Sequence, residues 1–172
     1  MLGSRRLVPL LAALVAGILA AGCDESMLEP APRSPGVPRG AVAATVTRVT
    51  DGDTINLAGL GSVRLIGIDT PEVYGGVECY GREASDFVKE LLPAGTRVYY
   101  ELGPEERDRY DRALAYVWLD DGRFLNRVLV ARGFAQPPTI PPNVDFAELF
   151  VRTARRARRA ARGLWSPGAC SV

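Results

Sequence analysis

Two short acidic segments interrupt strand-forming sequence in the first half of the chain, at residues 51–54 (DGDT) and 64–72 (RLIGIDTPE). The first reads as a turn and the second as a strand end, so their carboxylates can be brought together around one arginine. A hard cation such as calcium prefers several oxygen ligands, which carboxylates from two strand ends can supply. The arginine can bind an anion. The pattern therefore favours a site for a divalent cation and a phosphate.

The rest of the pattern predicts five strands and three helices. Thr, Val and Ile are frequent in residues 45–57, and Asp51-Gly52 divides this stretch into two strands at a hairpin turn. The other elements follow from apolar periodicity and from Gly and Pro stops. They are strands at 63–68, 98–102 and 114–119, and helices at 84–92, at 124–132 and from Asp145, where Glu148 completes a capping-box pattern. This order predicts an α+β, mainly β domain: a five-stranded oligonucleotide-binding barrel (OB-fold) with three covering helices.

The first 40 residues are predicted to lie outside the folded domain. Two arginines precede an apolar run over residues 7–21, which predicts a signal peptide at 1–22. The small residues before Cys23 resemble the lipobox of bacterial lipoproteins, in which the cysteine is acylated. Simple cleavage and release is the alternative. Residues 23–40 carry four prolines and few large apolar side chains, which predicts a flexible tether. Residues 41–172 have the length of one domain.

Charge and the absence of histidine narrow the function classes. The chain has 21 basic and 20 acidic side chains and no histidine. Removal of residues 1–22 would leave 19 basic and 20 acidic side chains, so the overall charge does not indicate a nucleic-acid binder. Without histidine, serine hydrolase triads, histidine-based nucleases and histidine-ligated zinc sites are excluded. The chemistry must come from carboxylates, arginine, hydroxyls or a metal.

With Cys23 assigned to the lipid, Cys79 and Cys170 remain as an even pair. In an oxidising, extracytoplasmic compartment such a pair predicts a disulfide, which would join the C-terminus to the loop that follows residue 72. Two free thiols are the alternative, because the sequence alone does not give their geometry.

Four motifs in one order carry a family resemblance: residues 51–54, 64–72, 80–84 (YGREA) and 108–116 (DRYDRALAY). Over residues 46–165 the chain resembles staphylococcal nuclease and its relatives, the thermonuclease family. The resemblance implies an oligonucleotide-binding barrel with three helices that hydrolyses DNA and RNA with calcium. Each motif alone is weak, and their shared order makes the resemblance specific.

By this resemblance, Asp53 and Asp69 are the side-chain calcium ligands, the Thr70 carbonyl is a third ligand, and Asp51 is a supporting acid nearby. Glu72 would address the attacking water, as a base or as an orienting group. Carboxylate and carbonyl oxygens suit calcium, and a carboxylate can orient or deprotonate water. Taken alone, residues 51–54 are typical of an ordinary hairpin turn.

The resemblance also implies two phosphate-binding arginines, Arg64 and Arg112, which would contact the scissile phosphate from two sides. Arg109 and Tyr110 match family residues that bind a neighbouring phosphate. Paired guanidinium groups stabilise the extra charge of a five-coordinate transition state. Taken singly, Arg64 is also consistent with a structural ion pair to Asp69, and the two later arginines with solvated loop charges.

Two departures from the family pattern concern the substrate. Thr139 and Pro141 stand where the archetype has tyrosines near the bound nucleotide, which predicts weaker base stacking. Asp111 replaces a glycine between Tyr110 and Arg112, which adds a negative charge where an anion would bind. We expect slower turnover or a narrower range of substrates from this change.

The first hypothesis is therefore a monomeric calcium-dependent nuclease, secreted or anchored to the cell membrane by a lipid on Cys23, that cuts DNA and RNA and leaves 3′-phosphate ends. A second hypothesis is a non-catalytic nucleic-acid or protein-binding OB-fold module at the cell surface. A third is a surface interaction protein with a structural calcium. Missing acids would favour the second hypothesis, and none of the expected acids is missing. Nothing in the sequence reads a 2′-hydroxyl, so it does not distinguish DNA from RNA.

Overall fold

The computed structural model describes residues 36–170. The predicted signal peptide, Cys23 and the first part of the predicted tether lie outside the described residues. The last part of that tether, residues 36–40, forms turns, and Val37 is partly buried against the hydrophobic core. The Ala41 N–H donates to the Pro38 carbonyl (3.2 Å). The chain therefore enters the first strand from a turn that already packs on the domain.

Five strands close into a barrel, as the sequence predicts. They are β1 (Val42–Val49), β2 (Thr54–Leu57), β3 (Gly61–Leu65), β4 (Arg97–Arg107) and β5 (Ala113–Leu119). Their order around the barrel is β1-β2-β3-β5-β4. The β3–β5 pair is parallel, and the other neighbours are antiparallel. In the parallel pair, Arg64 of β3 lies beside Leu114 of β5.

The third strand ends three residues earlier than the sequence predicts, at Leu65 rather than at residue 68. Gly67 has φ 70°, a left-handed conformation that turns the chain out of the ladder. A side chain would not fit there, because a Cβ on Gly67 would lie 2.9 Å from the Phe150 ring. The sharp turn places residues 68–72 at the mouth of the barrel.

Three α-helices cover the barrel, α1 (Gly81–Leu91), α2 (Leu125–Arg132) and α3 (Ala147–Arg159), and a short 3₁₀ helix follows at Gly163–Trp165. The predicted capping box at the start of α3 is wrong. The helix begins after Phe146 with no side-chain cap, and the Glu148 carboxylate accepts from Arg152 Nη1 (2.9 Å) one turn later. No helix within residues 36–170 is long and apolar enough to cross a membrane.

The core has two parts that meet at β5. Aliphatic side chains fill the barrel, among them Val46, Ile55, Val63, Leu65 and Val98, each at most 1 % exposed. An aromatic cluster packs α2 and α3 on the other side of β5. Its ring centroids lie 4.7 Å apart for Trp118 and Phe124 and 4.9 Å apart for Phe124 and Phe146. This packing fixes α3, whose Phe150 lies under the turn at Gly67.

A buried amide, that of Asn126, ties α2 to both strands of the parallel pair. The Asn126 side chain is fully buried. Its Nδ2 donates to the Ile66 carbonyl (2.9 Å), and its Oδ1 accepts from the Val117 N–H (3.1 Å). Without these bonds two buried backbone groups would be unpaired, which is costly. Asn126 therefore fixes the start of the segment that leads from β3 to residues 68–72.

The structure joins Cys79 to Cys170 in a disulfide, with the two Cα atoms 5.6 Å apart. This is the pair that the sequence predicts. The bond spans 91 residues and connects the loop before α1 to the end of the described chain.

We expect Asn126→Ala to lower the free energy of unfolding by about 2 to 4 kcal/mol, because it leaves two buried backbone groups without partners. Urea unfolding followed by tryptophan fluorescence measures the change. Arg127→Ala is the matched control, since Arg127 is the next residue of α2 and is exposed, and a change below about 0.5 kcal/mol is expected there. Equal losses in the two variants would contradict the role given to Asn126.

Candidate active site

Arg64 is the centre of the site at the mouth of the barrel. Its Nη1 donates to the carbonyls of Leu65 (3.1 Å) and Ile68 (2.7 Å). Its Nη2 lies 2.7 Å from Asp69 Oδ1 and 3.1 Å from Asp53 Oδ2. The ion pair with Asp69 that the sequence left open as an alternative is therefore present. The ion pair does not stand apart from the predicted site, because the same Arg64 guanidinium contacts both acidic segments, through Asp53 and Asp69.

Asp53 is buried, at 6 % exposure, and it joins the two acidic segments. Its Oδ2 accepts from the Thr70 N–H (2.9 Å) and from Thr70 Oγ1 (3.1 Å), and its Oδ1 accepts from Thr54 Oγ1 (3.2 Å). Gly52 allows this approach, since a Cβ there would lie 2.8 Å from the Thr70 hydroxyl oxygen. Residues 51–54 thus form a hairpin turn, and Asp53 in this turn contacts Arg64 and Thr70.

The site carries more negative charge than Arg64 offsets. Burial raises the pKa of Asp51, and the nearby Asp53 carboxylate raises it further. Burial also raises the pKa of Asp69, and the Asp53 and Glu78 carboxylates add to this. The Arg64 guanidinium opposes the increase only in part. The raised pKa values of Asp51 and Asp69 reflect crowded negative charge, which a bound cation would offset.

The chemistry of these groups fits a hard divalent cation. Asp51, Asp53 and Asp69 offer carboxylate oxygens, and Thr70 adds a backbone carbonyl on the same segment, which is the donor set that calcium prefers. Within residues 36–170, no three Asp, Glu, Cys or His side chains are arranged as a ready-made metal cluster. Asp53 and Asp69 instead share Arg64 Nη2.

Glu72 lies three residues after Asp69, at the start of an exposed loop. Its backbone N–H donates to Glu78 Oε2 (3.1 Å). Its side-chain carboxylate makes no hydrogen bond or ion pair with any residue of the described part of the chain. This carboxylate is therefore available to bind water.

The loop between β4 and β5 is organised by Asp108. Its Oδ1 accepts from the N–H groups of Tyr110 (2.9 Å) and Arg112 (3.0 Å), and its Oδ2 accepts from Arg112 Nε (2.7 Å). Burial alone would raise the pKa of Asp108, but the hydrogen bonds from Arg112 and Tyr110 outweigh it and lower that pKa. The carboxylate thereby fixes the direction of the Arg112 guanidinium. Arg112 is accordingly more constrained than a solvated loop charge.

Asp111 lies on the outer side of this loop. It has φ 62°, and its side chain is 86 % exposed. Arg107 Nη1 donates to the Asp111 carbonyl (2.7 Å) and to its carboxylate (3.3 Å). The added negative charge is therefore paired with Arg107. Asp111 does not line the cavity that contains Arg112.

One cavity of about 650 Å³ brings the two arginine-bearing segments together. Arg64 and Asp69 line it from one side, and residues 108–110 with Arg112 line it from the other. Arg109 Nη2 donates to the Tyr110 hydroxyl (2.6 Å) at its rim. The sequence did not identify four further lining residues, namely Glu105, Pro138, Ile140 and Asn143.

Sequence comparisons identify relatives of this chain. The family described as "Staphylococcal nuclease homologue" matches residues 62–167. The chain is 39 % identical over 127 residues to "Thermonuclease" of Staphylococcus hyicus, an alignment that covers 70 % of this chain and 74 % of that protein. It is 40 % identical over 126 residues to "Thermonuclease" of Staphylococcus intermedius, with the same coverage.

The chain belongs to the staphylococcal nuclease family. A longer protein, "Endonuclease YhcR" of Bacillus subtilis (strain 168), is 31 % identical over 157 residues. That alignment covers 83 % of this chain and 13 % of the longer protein. In the described part of this chain, the family fold consists of one closed barrel and its covering helices.

This member of the staphylococcal nuclease family differs from the expected pattern in the loop over residues 137–142. Pro138 and Ile140 line the cavity, and Ile140 is 66 % exposed. Thr139 instead lines a separate groove with Arg152. The contribution of this loop to the cavity is therefore aliphatic. A large apolar residue between prolines in a loop is the signal that could have identified Ile140.

We expect Asp108→Asn to lower the free energy of unfolding at pH 7 by about 1 to 3 kcal/mol, because an ionised acceptor of three hydrogen bonds is lost. The pKa of Asp108 is below its ordinary value of 3.8. Its contribution is therefore complete above the ordinary value and is lost as the pH falls through the lowered pKa. The measurement is urea unfolding of wild type and variant between pH 7 and about pH 3, over which the difference should shrink.

Asp121→Asn is the control for that experiment, because Asp121 makes a similar pair with Arg123 (2.6 Å) on an exposed turn. An exposed pair of this kind contributes less than about 1 kcal/mol. A difference for Asp108→Asn that stays constant with pH would argue against the charged hydrogen bonds.

Proposed function

We propose that this protein is a calcium-dependent endonuclease that hydrolyses phosphodiester bonds of single-stranded DNA and RNA by attack of water, leaving 3′-phosphate ends. The observation that carries the proposal is the shared cavity, which is lined by Arg64 and Asp69 on one side and by Arg112 on the other. Two guanidinium groups facing one space beside an acidic cluster suit a phosphodiester and a cation together. The names of the relatives, thermonuclease and endonuclease, support the same reaction class.

The calcium-binding residues in this proposal are Asp53, Asp69 and the Thr70 carbonyl, with Asp51 as a supporting acid. Bound calcium would supply positive charge that screens the phosphate and lowers the cost of bringing it to three carboxylates. Asp53 is well placed to organise such a site, because its hydrogen bonds to Thr70 fix the two acidic segments relative to each other.

Arg64 and Arg112 are the proposed phosphate-binding residues. Arg64 is fixed by two backbone carbonyls, and Arg112 is fixed by Asp108. Each guanidinium is therefore oriented before substrate binds, so little reorganisation is needed when charge builds up on the phosphate oxygens. Their contribution is greatest in the five-coordinate transition state, which carries more charge than the substrate.

Glu72 is the proposed acceptor for the attacking water. Its carboxylate is free of partners among residues 36–170, so it can accept a hydrogen bond or a proton from water. Arg109 and Tyr110 are proposed to bind the neighbouring phosphate at the rim of the cavity. Tyr110 is 64 % exposed, and the Arg109 guanidinium carbon lies 4.7 Å from its ring centre.

The proposal includes an extracytoplasmic location. Residues 1–22 would direct secretion, Cys23 would carry the lipid that anchors the protein to the cell membrane, and residues 23–40 would separate the monomeric domain, residues 41–172, from that anchor. The disulfide between Cys79 and Cys170 supports this location, because such bonds persist in oxidising compartments.

We expect calcium chelation to abolish cleavage of labelled single-stranded DNA and RNA, and we expect added calcium to restore it. Glu72→Gln should reduce kcat by at least about 100-fold, because the neutral amide is a poor proton acceptor. Gel assays of cleavage and anisotropy of substrate binding measure the two effects separately. Glu90→Gln, an exposed change in α1, should leave both unchanged. Calcium-independent binding without cleavage by the wild-type protein would instead favour a non-catalytic module.

Arg64→Lys should reduce kcat by about 100-fold or more, because lysine keeps the charge but loses the fixed guanidinium fork. The loss of up to two carbonyl hydrogen bonds should also lower stability, so turnover is measured well below the melting temperature. Arg123→Lys, on an exposed turn, is the control. Turnover at the wild-type rate in folded Arg64→Lys would refute the phosphate-binding role.

A further inference from the structure

The loop that carries Glu72 lies at the surface, where the Tyr74 hydroxyl donates to the Thr50 carbonyl (3.3 Å). Residues 72 and 74–79 are exposed. Gly75 and Gly76 have φ of 82° and 146°, and a Cβ on either would meet nothing within 4 Å. Such a loop samples many conformations unless it is held at specific points. A catalytic carboxylate on it needs those points, because a displacement of about 1 Å can cost about 100-fold in rate.

Glu78 holds the backbone of Glu72 on both sides of the residue. The Glu72 N–H donates to Glu78 Oε2 (3.1 Å), and the Glu78 N–H donates to the Glu72 carbonyl (2.9 Å). The start of α1 closes on the same carbonyl, since a Cβ on Gly81 would lie 2.6 Å from the Glu72 oxygen. The Gly81 N–H donates to the Glu78 carbonyl (3.1 Å). Glu72 is thus fixed through residues outside the cavity.

The disulfide fixes Glu78 in turn. Cys79 follows Glu78 directly and is bonded to Cys170. The C-terminal segment that carries Cys170 is itself anchored at its start on the end of α2, where the Leu164 N–H donates to the Gly133 carbonyl (2.9 Å). A continuous chain of bonds therefore leads from α2, through the C-terminal segment and the disulfide, to the backbone of Glu72.

We propose that Glu78 is a positioning residue for Glu72, and that the Cys79–Cys170 disulfide keeps Glu78 in the position where it does so. This inference rests on the proposed catalytic role of Glu72. The side-chain bond is exposed and so adds little to global stability. Its effect is local: it selects one backbone conformation at the catalytic residue.

Turnover of single-stranded DNA with calcium tests this role. We expect Glu78→Ala to reduce kcat by about tenfold or more and to leave KM within about twofold of the wild-type value. The substitution displaces the Glu72 carboxylate, whereas the phosphate-binding arginines keep their positions. Glu78→Gln keeps an acceptor oxygen for the Glu72 N–H and should recover most of kcat. Glu90→Ala, exposed on α1, is the matched control. If Gln is as slow as Ala, the charge of Glu78 near Asp69 is what matters, and the positioning role is overturned.

Amide hydrogen exchange of the calcium-free protein tests the positioning of Glu72 without an activity measurement. We expect Glu78→Ala, and separately a Cys79→Ser/Cys170→Ser double variant, to speed exchange at Glu72 while β3 and β5 stay protected. Unchanged exchange at Glu72 in both variants overturns the inference. Faster exchange at Glu72 in the variants, together with no calcium-dependent cleavage by the wild-type protein, would refute the proposed function and leave the positioning of Glu72 standing. The two failures are therefore distinguishable.

Discussion

The site depends on the way the Arg64 guanidinium is enclosed. A charged group near the barrel mouth loses water, and the loss is tolerated because both terminal nitrogens of the guanidinium find acceptors. Two acceptors are carbonyls of Leu65 and Ile68, which the turn at Gly67 points inward. The other two are the acids of different segments. The end of β3, the turn before β2 and the acidic cluster therefore form as one unit.

The orientation of the second arginine, Arg112, has a different structural cause. Arg112 is fixed by the Asp108 carboxylate, whose remaining oxygen caps the backbone of the same loop. The conformation of the loop that carries Arg112 is set by an acid of the same loop. The surroundings of Arg64 are formed by residues from both acidic segments of the chain. The two halves of the cavity thus have separate structural origins and meet because β3 and β5 are neighbours in the barrel. The nuclease reaction that we propose uses both halves.

The elements and the acidic residues could be predicted from the sequence, since turns, apolar periodicity and the order of four motifs are local signals. The early end of β3 was missed because Phe150, 83 positions later, excludes a side chain at residue 67. The predicted capping box was wrong, and the structure pairs Glu148 with Arg152 instead. Ile140 and the outward orientation of Asp111 depend on long-range packing and on Arg107, which no local pattern specifies.

The disulfide also divides the chain covalently. The ring closed by Cys79 and Cys170 contains β4, β5 and all three helices, and with them Arg109 and Arg112, while Asp53, Arg64, Asp69 and Glu72 lie outside it. A protease that cuts any single peptide bond within the ring leaves both fragments attached to each other. A single cut outside the ring, between Glu72 and Cys79, leaves no covalent link between the part that carries these acids and the ring. The covalent consequence of a single cut is therefore unequal along the chain, and it is greatest on the side that carries the acids.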